Sequence, residues 1–84
     1  MAISEYTVYF NREGATLSGT WETTCFLAIK TTDADTALRI AQRRKCLHEA
    51  GVRYSKDVPA AVKQMVMEEW SWRVYDDHGE LLIR

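Results

Sequence analysis

The segment that most constrains this chain runs from Ala28 to Ala41, where a strand pattern passes straight into a helix start. Thr32 or Asp33 can act as N-cap there, because a side-chain oxygen can accept from the free N–H groups of a first helical turn. Asp35 adds negative charge at the positive end of the helix dipole. Residues before this junction alternate like a sheet, and much of the later chain has helical spacing. The expected fold is therefore a small α+β domain, with elements in the order ββααββ and two helices packed on an antiparallel sheet.

The strands are read from period-two alternation. From Glu5 to Asn11, Tyr6, Val8 and Phe10 point one way and Glu5, Thr7 and Tyr9 the other. Arg12-Glu13-Gly14 is expected to turn the chain, with Gly14 free to take positive φ. From Ala15 to Lys30 the odd positions Leu17, Trp21, Cys25, Leu27 and Ile29 share a face, and the threonines between them stiffen the strand. Gly19 should mark a bulge or bend in this ribbon. Trp72–Tyr75 and Leu81–Ile83 flank Asp76-Asp77-His78-Gly79, which is expected to close a terminal hairpin.

The first helix is expected from Asp33 to Ala50, stopped by Gly51 as its C′ residue. Ala34, Ala37, Leu38 and Ala41 lie together on its wheel, flanked by Ile40 and Leu47. A second helix opens at Asp57-Val58-Pro59, with proline in the first turn, and runs to Glu69. Val58, Ala61, Val62, Met65 and Val66 form its buried stripe, while Ala60, Met67 and Trp70 project elsewhere.

At 84 residues the chain is expected to be a single domain, residues 1–84. A net charge of −1 argues against both a histone-like polycation and an acidic mimic of DNA. No apolar run approaches the roughly 20 residues that span a bilayer, and the first residues lack the basic and apolar segments of a secretory signal. Cys25 and Cys46 are too few and too far apart for a disulfide framework, so a reducing cytoplasm with free thiols is expected.

Catalytic and metal chemistry have little support in the residue pattern. Cys25, Cys46, His48 and His78 equal in number the ligands of a zinc site. Cys46 and His48, however, would sit about 200° apart on a helix. No motif surrounds either cysteine to make it a nucleophile. Glu68-Glu69 and Asp76-Asp77 are neighbours that diverge rather than converge. No cofactor, metal or catalytic residue is therefore expected.

Two features point to binding instead. Arg39, Arg43, Arg44, Lys45, Arg53 and Lys56 form a basic end of the first helix. This either complements the helix dipole or contacts phosphates or an acidic protein patch. Nine aromatic residues include Tyr9, Phe26 and Tyr75, each on the parity opposite to its strand's apolar set, and Met67 and Trp70 lie outside the second helix's stripe. Such residues are enriched in binding cores, although one helix on each sheet face would bury them without any partner.

The hairpin, the Lys30-to-Ala41 junction and the late run Trp72 to Glu80 resemble, in layout, small phage-encoded inhibitors of host machinery. Anti-CRISPR proteins and an inhibitor of host RNA polymerase belong to that group. The resemblance implies stoichiometric, non-catalytic binding to a host protein complex, such as a CRISPR effector, in the host cytoplasm. Many anti-CRISPR proteins that mimic DNA are strongly acidic, and this chain departs from that pattern toward direct protein contact. In this reading Arg39, Arg43, Arg44 and Arg53 supply charge, and Tyr9, Met67 and Trp70 supply apolar anchors. Nucleic-acid binding through the basic helix end and a structural subunit that pairs sheet edges into a homodimer are the alternatives.

Overall fold

The computed structural model describes residues 2–84. Strands β1 (Ser4–Thr16) and β2 (Gly19–Thr31) are followed by helix α1 (Ala34–Ala50), a 3-10 turn at Ser55–Asp57, helix α2 (Ala60–Glu69) and strands β3 (Ser71–Tyr75) and β4 (Leu81–Ile83). All pairings are antiparallel within one sheet of order β2-β1-β3-β4. This is the ββααββ, α+β arrangement read from the sequence.

The first hairpin is longer than its glycines suggest. β1 and β2 stay in unbroken register from Ser4↔Thr31 to Thr16↔Gly19, so the chain turns at Leu17-Ser18 and not at Arg12-Glu13-Gly14. Gly14 serves a different purpose, since a Cβ there would lie 2.5 Å from the Trp21 indole on the facing strand. Gly19 makes no bulge; its φ of +143° closes the turn in a conformation that L side chains rarely adopt. Thirteen residues at about 3.3 Å each reach roughly 43 Å, which accounts for most of the 48 Å long axis. β3 pairs with β1 only over residues 7–11, so the distal half of the hairpin projects as a two-stranded arm. An Arg12–Glu69 ion pair at 3.0 Å ties the base of that arm to the end of α2.

Asp33 is the N-cap of α1. Its Oδ1 accepts from the Thr36 N–H at 2.8 Å and its Oδ2 from the Thr36 hydroxyl at 3.1 Å. At the other end Gly51 takes φ +66°, and its N–H reaches back to the carbonyls of Leu47 and His48. Pro59 is the N-cap of α2 rather than a first-turn residue, because the segment before it is spent on the 3-10 turn. Ala61 consequently faces solvent, while Val62 and Met65 are half-buried and Val66 is fully buried.

Both helices lie on the same side of the sheet. Ala37 and Ala41 of α1 pack on Val8, Ile29 and Val74, and Val66 of α2 joins Cys46 and Val58, with Trp72 packed against them. The Trp72 indole N–H donates to the Val66 carbonyl at 3.1 Å, which locks β3 to α2. Of the two arrangements the sequence left open, one helix per face is therefore not the one formed, and the second face of the sheet carries no helix. Among the described residues no helix is long and apolar enough to cross a membrane.

The packing and the helix cap each set a stability expectation. Val8 is fully buried at the centre of the sheet, so Val8→Ala should cost about 2 kcal/mol through lost burial and a residual cavity. Thermal unfolding should then show a midpoint roughly 10 °C lower, whereas Leu17→Ala at the exposed hairpin tip should leave it unchanged. Asp33 is held below the usual carboxylate range, first by the Thr36 backbone N–H and then by the Thr36 hydroxyl. Its folded pKa lies below its unfolded one, so its contribution is complete above the ordinary carboxylate range and is lost as pH falls through the lowered value. The midpoint difference between wild type and Asp33→Ala should accordingly be largest at neutral pH and shrink in acid.

Candidate functional site

Alternation along β1 sorts its side chains onto two faces, and only one is filled. On the open face Tyr9 stands between Phe26 of β2, its registered partner, and Tyr75 of β3. The Tyr9 and Phe26 rings are 5.7 Å apart at a tilt, and Tyr9 meets Tyr75 edge-on at 5.3 Å. These are the separations at which ring quadrupoles attract, so the three rings form one continuous apolar strip. Phe26 is 66% exposed, and the two tyrosines are half-buried by each other and by neighbouring strands.

Beside the strip lies an open hollow of about 640 Å³ lined by Glu5, Thr7, Tyr9, Thr24, Arg73, Tyr75 and the turn residues Asp76, Asp77 and Gly79. The turn is rigid for a local reason: Asp76 Oδ1 accepts from the backbone N–H groups of His78 (2.9 Å) and Glu80 (2.8 Å). Glu22 is steadied on the same face by the Thr24 hydroxyl at 3.3 Å. Glu5, Glu13, Glu22, Asp76 and Asp77 thus border this face, against Lys30 and Arg73. The rim is acidic around an aromatic centre.

The residues expected to bind do not converge. Tyr9 sits at the centre of the open face, whereas Arg39, Arg43, Arg44 and Arg53 belong to the helix layer on the opposite side. All four arginines are exposed, and Arg43 donates to the Ser55 hydroxyl at 2.9 Å, bracing α1 against the 3-10 turn. Lys45 is turned inward, with its ammonium 2.6 Å from Glu49 and 4.2 Å from the Trp70 ring centre. The hydrogen bond from Lys45 holds the Glu49 carboxyl below its usual range, and the attraction of that ammonium adds to it.

Met67 is 53% exposed and borders an apolar hollow of about 220 Å³ with Cys46 and Val58, again in the helix layer. Trp70 is a correction, since it is only 8% exposed and cannot serve as an outward anchor. α2 ends at Glu69, and Trp70 takes an extended conformation that swings its ring onto Phe10, 5.5 Å away. Phe26, Tyr75 and Arg73 complete the open face and were absent from the residues expected to bind. The opposite-parity aromatics were the available signal for the first two; Arg73 had none.

Cys46 is buried, and burial raises its thiol pKa, which keeps it protonated and a poor nucleophile at neutral pH. Among the described residues no group of three or more His, Cys, Asp or Glu side chains is placed to hold a metal ion.

The division between anchor and core is open to measurement. Trp70→Ala should cost about 3–5 kcal/mol, while Met67→Ala should cost less than about 1 kcal/mol. The Trp70 indole N–H is buried without a hydrogen-bond partner among the described residues. Trp70→Phe, which removes that donor and keeps a ring, should therefore retain most of the stability lost by the alanine variant in urea unfolding. No protein-family profile matches this chain, no curated protein matches its sequence, and no solved structure matches its fold.

Proposed function

We propose that this protein is a non-catalytic binder that acts by stoichiometric contact with another protein, with the open face of the sheet as its working surface. The observation that carries this reading is the uncovered strip Tyr9–Phe26–Tyr75 on a face that both helices leave bare. Aromatic side chains give large apolar contact at little entropic cost, and a polar rim that excludes water from them is the arrangement of an interface hot spot. The acidic rim favours a partner with basic side chains around an apolar patch. It also disfavours nucleic acid on this face, where phosphates would meet Glu5, Asp76 and Asp77.

The layout resemblance gives the reading a class: an inhibitor or modulator of a host macromolecular complex, of the anti-CRISPR kind, acting in a reducing cytoplasm. The exposed Arg39, Arg44 and Arg53 in the helix layer support the alternative, a contact with phosphates or an acidic partner.

Capture from nuclease-treated bacterial lysate, including strains that express CRISPR interference complexes, separates these readings. A near-stoichiometric protein complex should be retained by wild type and by Arg39→Glu/Arg44→Glu, and lost with Tyr9→Ser/Tyr75→Ser. Loss with the arginine pair and retention by the tyrosine pair would transfer the site to the helix layer. Recovery that disappears on nuclease treatment would overturn the protein-contact reading.

A further inference from the structure

The two edges of the sheet are built differently. β4 is three residues long and meets β3 through a register shift at Val74/Tyr75, which makes it a poor template for another strand. β2 is thirteen residues long and unbulged, with no proline, and its outer side is unpaired. A strand of that kind invites a further strand unless charge or a bulge prevents it. Its only charged residues are Glu22 and Lys30, and they lie at equal distances, four residues each, on either side of Phe26.

That spacing makes the edge complementary to itself. We propose that β2 pairs antiparallel with β2 of a second copy of this chain about a two-fold axis at Phe26. In this register Glu22 stands opposite the partner's Lys30, and Lys30 opposite the partner's Glu22, so both charges of the edge meet opposite charge. Phe26, the most exposed aromatic side chain of the protein at 66%, meets its own copy. Cys25 faces the partner's Leu27 on the helix side, and Thr24 faces the partner's Ala28 on the open side. A shift by one residue in either direction opposes neither charge pair and moves Phe26 off the axis. Lys30 makes no ion pair among the described residues, although Glu5 stands opposite it on β1.

The product is a continuous eight-stranded sheet. Its two helix layers lie on one side, and on the other an unbroken aromatic row runs from Tyr75 through Tyr9 and Phe26 to the same residues of the second copy. The pairing depends on the edge alone and stands whether or not the open face binds a further protein.

Sedimentation equilibrium on four proteins tests the register. Wild type should be a reversible dimer. Glu22→Lys and Lys30→Glu should each weaken it by about tenfold or more, because like charges then stand directly opposite twice. The double variant Glu22→Lys/Lys30→Glu should recover the wild-type constant. Independently, Phe26→Cys in a Cys25→Ser background should form a disulfide-linked dimer on mild oxidation, since paired Cα atoms lie about 5.5 Å apart. Thr24→Cys should not, because its own copy would be displaced four residues along the ladder, roughly 13 Å away. A wild-type monomer up to the solubility limit would overturn the proposal. So would a dimer indifferent to all charge variants, or one that cross-links through Thr24→Cys and not Phe26→Cys.

Discussion

Ala37 and Ala41 carry no side chain beyond Cβ, so the axis of α1 settles close over Val8, Ile29 and Val74, and these five residues exclude water together. They are drawn from across the chain: β1, β2, α1 and β3 all contribute. That contact decides which face of β1 is interior, and because the side-chain period of a strand is two, it decides the interior face of every strand paired to β1. The connection from Gly51 to Pro59 is short, and its Val58 is buried against α1 and α2. α2 therefore descends on the same side, where Val66 closes over Cys46 and Val58 and accepts the hydrogen bond from Trp72. One face is covered twice and the other not at all.

An uncovered antiparallel face ordinarily alternates toward polar residues. Here it does so only at its margins: Glu5, Thr7, Thr24 and Arg73 surround three aromatic rings in mutual contact. Neither buried core cluster includes those rings. The basic helix end has a simpler physical account in part. Lys45 is held by Glu49 and Trp70, and Arg43, though exposed, spends one donor on Ser55.

Elements governed by local rules were legible in the sequence. Asp33 and Gly51 bound α1 as capping chemistry dictates, and Asp76-x-x-Gly79 closes the last hairpin as an Asx turn. Features decided by distant residues were not. Gly14 reads as a turn glycine until Trp21 is placed across from it, and the true turn at Leu17-Ser18 carries its signal in Ser18-Gly19, which competes with Arg12-Glu13-Gly14 in the sequence. Trp70 falls outside the α2 stripe on a helical wheel, but the helix has already ended, and one extended residue carries the ring inward to Phe10. That Tyr9, Phe26 and Tyr75 share a face could be read from parity. Whether a helix covers that face depends on how α2 docks, which no local pattern records.

In the proposed dimer Phe26 belongs to both surfaces: it ends the aromatic strip of one protomer and lies on the axis of the paired edge. The two events are therefore linked. A partner that engages the strip across both copies binds the dimer and not the separated chains, so its binding raises the apparent dimerisation constant by mass action. Reciprocity requires that dimerisation raise affinity for that partner by the same factor. A partner that instead wraps around Phe26 at the free edge competes with the second copy and drives the dimer apart. The sign of this coupling, read as dimer dissociation with and without bound partner, identifies which side of Phe26 the partner occupies.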